Sequence, residues 1–145
     1  MKHLKNFKKI GWDFDDTLIL HPMSHLMWEY ITNNPYDQEH HLITFRSGGY
    51  ETMIDKDFCR VGSHLRSGSF TSVRTIPNEI WEDFTYFYSL ADPDGIDHPY
   101  LKWKGKTCSE LGIEVLIDDR TCHVIQGCDE FGIVHYHPDN WGEIA

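Results

Sequence analysis

Two apolar runs in this chain end in the same way, each in a cluster of aspartates. Residues 7–14 read as a buried strand that stops in the polar segment Asp13-Phe14-Asp15-Asp16-Thr17, and Val115 to Ile117 read as a second short buried strand that stops at Asp118-Asp119. Three carboxylates within four residues are costly at a strand end unless a cation offsets them, and hard oxygen donors of this kind suit Mg²⁺. In an open parallel sheet the carboxyl ends of the strands lie on one side. Two acidic pairs about a hundred residues apart in sequence then converge in one crevice.

The remaining pattern fits such a sheet. Residues 22–33 carry apolar positions at helical spacing and end at Asn33-Asn34-Pro35, and residues 41–45 read as a strand running into Arg46-Ser47-Gly48-Gly49. A helix is expected over 50–59, a β-rich stretch over 70–76, and a helix over 77–90 with Pro77 in its first turn, followed by a turn at Asp92-Pro93-Asp94-Gly95. Helices over 104–111 and 121–131 are each stopped by a glycine, Gly112 and Gly132, and 133–137 is the last strand. Strands alternating with helices predict a mostly parallel, five-stranded sheet covered on both faces, an α/β sandwich. At 145 residues this is one domain, spanning 1–145, with no linker or internal repeat.

The formal charge of −10 repels nucleic acid and anionic membranes at long range, so broad polyanion binding is not expected. No apolar run approaches the ~20 residues of a membrane span, and the basic N-terminus is not followed by a stretch of signal-peptide length. A cytoplasmic protein with no membrane partner is the expectation. Cys59, Cys108, Cys122 and Cys128 form no C-x-x-C pair and no zinc-like spacing with the ten histidines, which predicts free thiols.

The motifs together resemble those of the haloacid dehalogenase-like (HAD) phosphohydrolase superfamily. Its first motif, D-x-D-x-T after a hydrophobic strand, is matched by Asp13-Phe14-Asp15-Asp16-Thr17. The second, a strand ending in Thr or Ser, is matched by Leu42-Ile43-Thr44. The third, a lysine, is met by Lys104 or Lys106, and the fourth, a strand ending in two acids, by Ile117-Asp118-Asp119. The family variant reading Lys-Gly, then Glu-Leu-Gly-Ile, then Ile-Asp-Asp favours Lys104-Gly105. Asp16 stands where the family often has glycine, although Asp-Asp-Thr variants are common.

The resemblance implies a Rossmann-like fold and a set of roles. Asp13 would be the nucleophile, forming an aspartyl-phosphate, and Asp15 the general acid and then base, its pKa raised by two neighbouring carboxylates and partial burial. Mg²⁺ would be held by the Asp13 carboxylate, the Asp15 backbone carbonyl and the acids at 118 and 119, with Asp119 as direct ligand and Asp118 as its support. Thr44 would donate to a phosphoryl oxygen, and Lys104 would balance charge in the transition state. Thr17, Phe45, Arg46 and Arg120 are placed around the substrate, with Trp103 as a further aromatic, and surface salt bridging is the alternative role for the two arginines. Taken alone, Thr44 reads as a structural threonine and Lys106 as a solvated helix residue. His21 reads as a loop histidine, and His40-His41, at a strand start, are assigned no ligand role.

The spacing leaves no room for a large cap domain. An open crevice and a strongly acidic chain favour a nucleotide or another small organic phosphate over a 3′-phosphorylated nucleic-acid end, although the segment from Ile117 to Ile133 is similar to that of polynucleotide-end phosphatases. A phosphoryl transferase, a phosphonate- or halide-cleaving relative and a non-catalytic binding module are the other readings.

Overall fold

A computed structural model describes residues 1–88 and 93–145. Five strands form one sheet in the order β3-β2-β1-β4-β5: β1 (Lys9–Trp12), β2 (Glu39–Thr44), β3 (Ser72–Thr75), β4 (Val115–Ile117) and β5 (Val134–Tyr136). All four pairings are parallel, so the expected mostly parallel sheet is parallel throughout. β1 is central because its residues are buried on both faces, Ile10 and Trp12 fully so.

The helices cover both faces. On one side α1 (Ser24–Asn33), α2 (Ile54–Arg60) and α6 (Trp141–Ile144) enclose the larger apolar core around Trp12, Phe14 and Met27. On the other, α4 (Pro99–Leu111) and α5 (Thr121–Phe131) bury Cys108, Leu116 and Val124, and α3 (Asn78–Phe87) packs on α4 through Phe84, Tyr100 and Leu101. This is the three-layer, Rossmann-like α/β sandwich the residue pattern predicts.

Close contact between α4 and α5 depends on two glycines. A Cβ at Gly105 would fall on the backbone of Gly127, and one at Gly127 would lie 2.8 Å from the Lys102 carbonyl oxygen. Helix α4 begins at Pro99, ahead of the expected Lys104. The His98 ring accepts the Tyr100 N–H and Pro99 occupies the first turn, so cap and proline together start the helix early. Left-handed Gly112 and Gly132 end α4 and α5. The short C-terminal helix α6 had no sequence expectation, and the expected helix end at Leu90 and turn residue Asp92 lie outside the described residues.

Between Thr17 and Thr44 the chain adds only α1 and the core strand β2, and between Thr44 and Lys104 the described residues add two 3₁₀ turns (Tyr50–Met53 and Ser67–Ser69), α2, β3 and α3. Among the described residues there is therefore no inserted cap domain. Nor is any helix there long and apolar enough to cross a membrane. The four cysteines are free, Cys108 and Cys128 buried and Cys59 and Cys122 exposed.

Candidate functional site

The strand order places β1 and β4 side by side at the point where the chain changes direction across the sheet, the usual crevice of such folds. Trp12 is in register with Ile117, and the Asp13 N–H donates to the Ile117 carbonyl at 2.9 Å. Asp13 and Asp118 therefore leave neighbouring strands abreast. Carboxylate oxygens of Asp13, Asp118 and Asp119 come within 4.8 Å of one another.

Lys104 reaches this point from α4. Its ammonium donates to Asp13 Oδ1 and to Asp118 Oδ2, both at 2.6 Å, and lies 4.4 Å from the centre of the Phe45 ring. The side chain is fully buried, whereas Lys106 is exposed. Burial works to lower the lysine pKa, but the attraction of Asp118 and Asp13 overrides it and the ammonium is held well above its ordinary value. Asp13 is pushed in the opposite sense: burial and then Asp118 raise its pKa well above the carboxylate range, against the pull of Lys104. One ammonium between two buried carboxylates leaves net negative charge. The set is all hard oxygen, which fits a divalent cation of the Mg²⁺ type.

The other carboxylates are fixed in distinct ways. Asp118 has little left to offer, since Oδ2 accepts from Lys104 and Oδ1 accepts the Arg120 N–H at 2.8 Å. Asp119 is partly exposed. The Thr17 hydroxyl, within 3.2 Å of both Asp13 Oδ2 and Asp119 Oδ1, ties the two acidic segments together. Thr17 was expected beside the substrate, but it is fully buried under the carboxylates and outside the cleft. The Thr44 oxygen accepts the Arg46 N–H at 3.1 Å, and Thr44, expected beside the substrate, is buried and absent from the cleft lining as Thr17 is.

Asp15 departs furthest from expectation. It is not gathered with the other acids: Arg46 Nε and Nη2 grip its two oxygens at 3.0 and 2.8 Å. Arg46 Nη1 is held in turn by Asp57 Oδ2 at 2.7 Å, and the guanidinium lies 4.6 Å from the Phe14 ring centre. Burial disfavours the Arg46 charge, but its bonds to Asp15 and Asp57 raise its pKa overall. An arginine expected to meet substrate is thus committed to two carboxylates. Asp57, in the helix expected over 50–59, was missed because nothing in its local sequence marks it as a partner for Arg46.

Asp16 adopts left-handed backbone (φ 59°, ψ 16°), a conformation that favours glycine and that aspartate tolerates better than most residues. Burial, then Asp119 and Asp15, raise its pKa.

A cleft of about 470 Å³ opens over these groups, with Asp13, Asp15 and Arg120 among its lining. Tyr50 and Met53 from the 3₁₀ turn, Arg60 from α2, Trp81 from α3 and Tyr100 from α4 line it together with Phe45. None of Tyr50, Met53, Trp81 and Tyr100 was singled out in the sequence. Trp103 packs beside Phe45, ring centres 6.2 Å apart, and lies outside the lining where it was expected. The His21 ring bonds Asp139, and His40 bonds Trp12.

These features define the protein as a three-layer α/β sandwich with an acidic centre, braced by a lysine, at the carboxyl ends of its central strands. No protein-family model and no curated protein matches the chain. Among solved structures it is similar to an uncharacterized protein from Corynebacterium glutamicum, with a TM-score of 0.51 at 12% identity over 90% of this chain and 83% of that one. At that identity the likeness concerns the fold alone.

Proposed function

We propose that the protein is a Mg²⁺-dependent phosphomonoester hydrolase of the HAD type that works through an aspartyl-phosphate on Asp13. The observation that carries this reading is the convergence of Asp13, Lys104, Asp118 and Asp119 at adjacent strand ends beneath an open cleft.

In this reading an Asp13 oxygen attacks phosphorus as the ester oxygen leaves, and Asp15, protonated once its pair with Arg46 opens, supplies that oxygen with a proton. Asp15 then takes a proton from the water that attacks the aspartyl-phosphate, which releases phosphate and restores both groups. Lys104 holds the Asp13 carboxylate in place and offsets charge as the phosphoryl group arrives, and Thr44 donates its hydroxyl to a phosphoryl oxygen. Asp13, Asp119 and the Asp15 carbonyl would hold the cation, with Asp118 in support. When bound, Mg²⁺ would supply positive charge between the nucleophile and the phosphoryl oxygens.

The cleft volume suits one small organic phosphate, and the net charge of −10 argues against a polynucleotide track. The test is hydrolysis of p-nitrophenyl phosphate by the purified protein with Mg²⁺ and with EDTA, beside Asp13→Asn. Activity that needs Mg²⁺ and vanishes in the variant is expected. Variant activity within about tenfold of wild type, a loss of only ~1.4 kcal/mol in transition-state stabilisation, would overturn the nucleophile assignment.

A further inference from the structure

The cleft is walled from two layers of the sandwich. Tyr50 and Met53 belong to the 3₁₀ turn that leads into α2, whose Ile54 and Phe58 pack in the core on one face of the sheet. Trp81 belongs to α3 and Tyr100 to α4, which pack together through Phe84 and Leu101 on the other. Large flat side chains therefore stand on both sides of the same opening.

The rings differ in what they leave free. Tyr100 is stacked between Phe84 and Phe45, with centroid separations of 4.1 and 4.3 Å and interplanar angles of 7° and 16°. Both of its faces are covered. By contrast, among the described residues neither Trp81 nor Tyr50 forms a ring pair with another aromatic; Trp81 is half-buried against the cluster of Ile76, Phe84, Tyr100 and Leu101, Tyr50 is 63% exposed, and both line the cleft. A column of three stacked rings thus backs the cleft, while the two lining rings without an aromatic partner come from elements on opposite faces of the sheet. Uncovered ring faces stack on planar ligands regardless of ring identity, and such stacking contributes about 1–3 kcal/mol per base in nucleic-acid sites.

We infer that Trp81 and Tyr50, with Met53, form a slot for a planar aromatic ring carried by the phosphomonoester, and so determine the substrate class of a cleft whose phosphate end is Asp13. This rests on the hydrolase reading above for its phosphate end only. The ring can be a nucleobase or a phenyl group, since both present the same flat face.

Calorimetric binding to Asp13→Asn in Mg²⁺ tests the slot without turnover, using 5′-AMP, phenyl phosphate and ribose 5-phosphate as probes. Both ring-bearing esters, or one of them, should bind at least tenfold more tightly than ribose 5-phosphate. Adding Trp81→Leu or Tyr50→Ala should erase the difference and leave the ribose 5-phosphate Kd within twofold. The leucine variant retains apolar packing on α3, so a folded protein is available for comparison. Preference for 5′-AMP alone assigns the ring as a nucleobase, and preference for phenyl phosphate assigns it as an aryl group. Equal affinity for all three probes, no binding of any, or an equal loss for all three in Trp81→Leu would overturn the slot. The hydrolase reading fails separately: ring-selective binding in a protein whose wild type never turns over p-nitrophenyl phosphate keeps the slot and removes the enzyme.

Discussion

Arg46 closes a two-pronged ion pair on Asp15, Nε and Nη2 lying 3.0 and 2.8 Å from its two carboxylate oxygens. Asp57 holds the far end of the same guanidinium, and Asp15, which lines the cleft with Asp13, is not part of the Asp13, Asp118 and Asp119 cluster. In the proposed reaction Arg46 positions Asp15, and the pair opens for Asp15 to take up the proton it gives to the leaving oxygen.

Arg46→Gln should therefore act on the proton-transfer step. A poor leaving group needs that proton more than a good one does. The variant should lose at least tenfold more kcat on an alkyl phosphate than on p-nitrophenyl phosphate. Equal losses on the two substrates would mean that Arg46 does not act through Asp15.

Lys104 carries a stability prediction independent of activity. Lys104→Met leaves Asp13 and Asp118 facing each other without their shared ammonium, and breaking a buried ion pair on one side costs about 3–5 kcal/mol. Lys106→Met, at an exposed position, should stay within about 0.5 kcal/mol of wild type. Urea unfolding in EDTA at pH 7 measures both, and the reverse ranking would contradict the buried bridge.

Divalent cation should stabilise the fold by linkage. The stabilisation should reach about 2.7 kcal/mol when Mg²⁺ exceeds its Kd a hundredfold. Asp119→Asn should remove most of this shift. Thermal unfolding across a Mg²⁺ series gives the answer, and an Asp119→Asn protein with the full wild-type shift would exclude that carboxylate as a ligand.

His40 should make stability depend on pH. Its Nδ1 accepts the Trp12 indole N–H at 3.0 Å, and burial, with His41 adding to it, pushes the pKa down to about 4. Between pH 4 and 6.5 the unfolded chain binds a proton that the folded one does not. The contribution is then complete above the unfolded pKa and is lost as pH falls toward 4, with a slope of at most ~1.4 kcal/mol per pH unit. His40→Gln, which keeps an acceptor for Trp12, should flatten that part of the urea-midpoint profile.

Two glycine substitutions should move stability in opposite directions. Gly105→Ala drives a methyl into the Gly127 backbone, and overpacking costs about 1–3 kcal/mol or more. Gly142→Ala, in α6 with open space around its Cβ position, should gain about 0.4–1 kcal/mol by restricting the unfolded chain. Chemical denaturation of the two variants suffices, and a neutral Gly105→Ala would show that α4 and α5 can separate freely.

Much of the architecture was legible before any coordinate. The sequence alone determined the alternation of strands and helices, the ends of α4 and α5 at Gly112 and Gly132, and the placement of Asp13 and Asp118 at strand ends. Each of these depends on short-range pattern: apolar runs, helical spacing and the left-handed freedom of glycine. It also singled out Lys104, through a motif spacing. Only the tertiary structure decided that Arg46 serves Asp15 and Asp57, that Thr17 is buried beside the carboxylates, that Trp103 lies outside the cleft lining while Trp81 and Tyr50 are in it, and that Gly105 meets Gly127. Those outcomes depend on which side chains of distant segments come within a few ångströms once the layers pack. Neither the periodicity of one segment nor its charge contains that information.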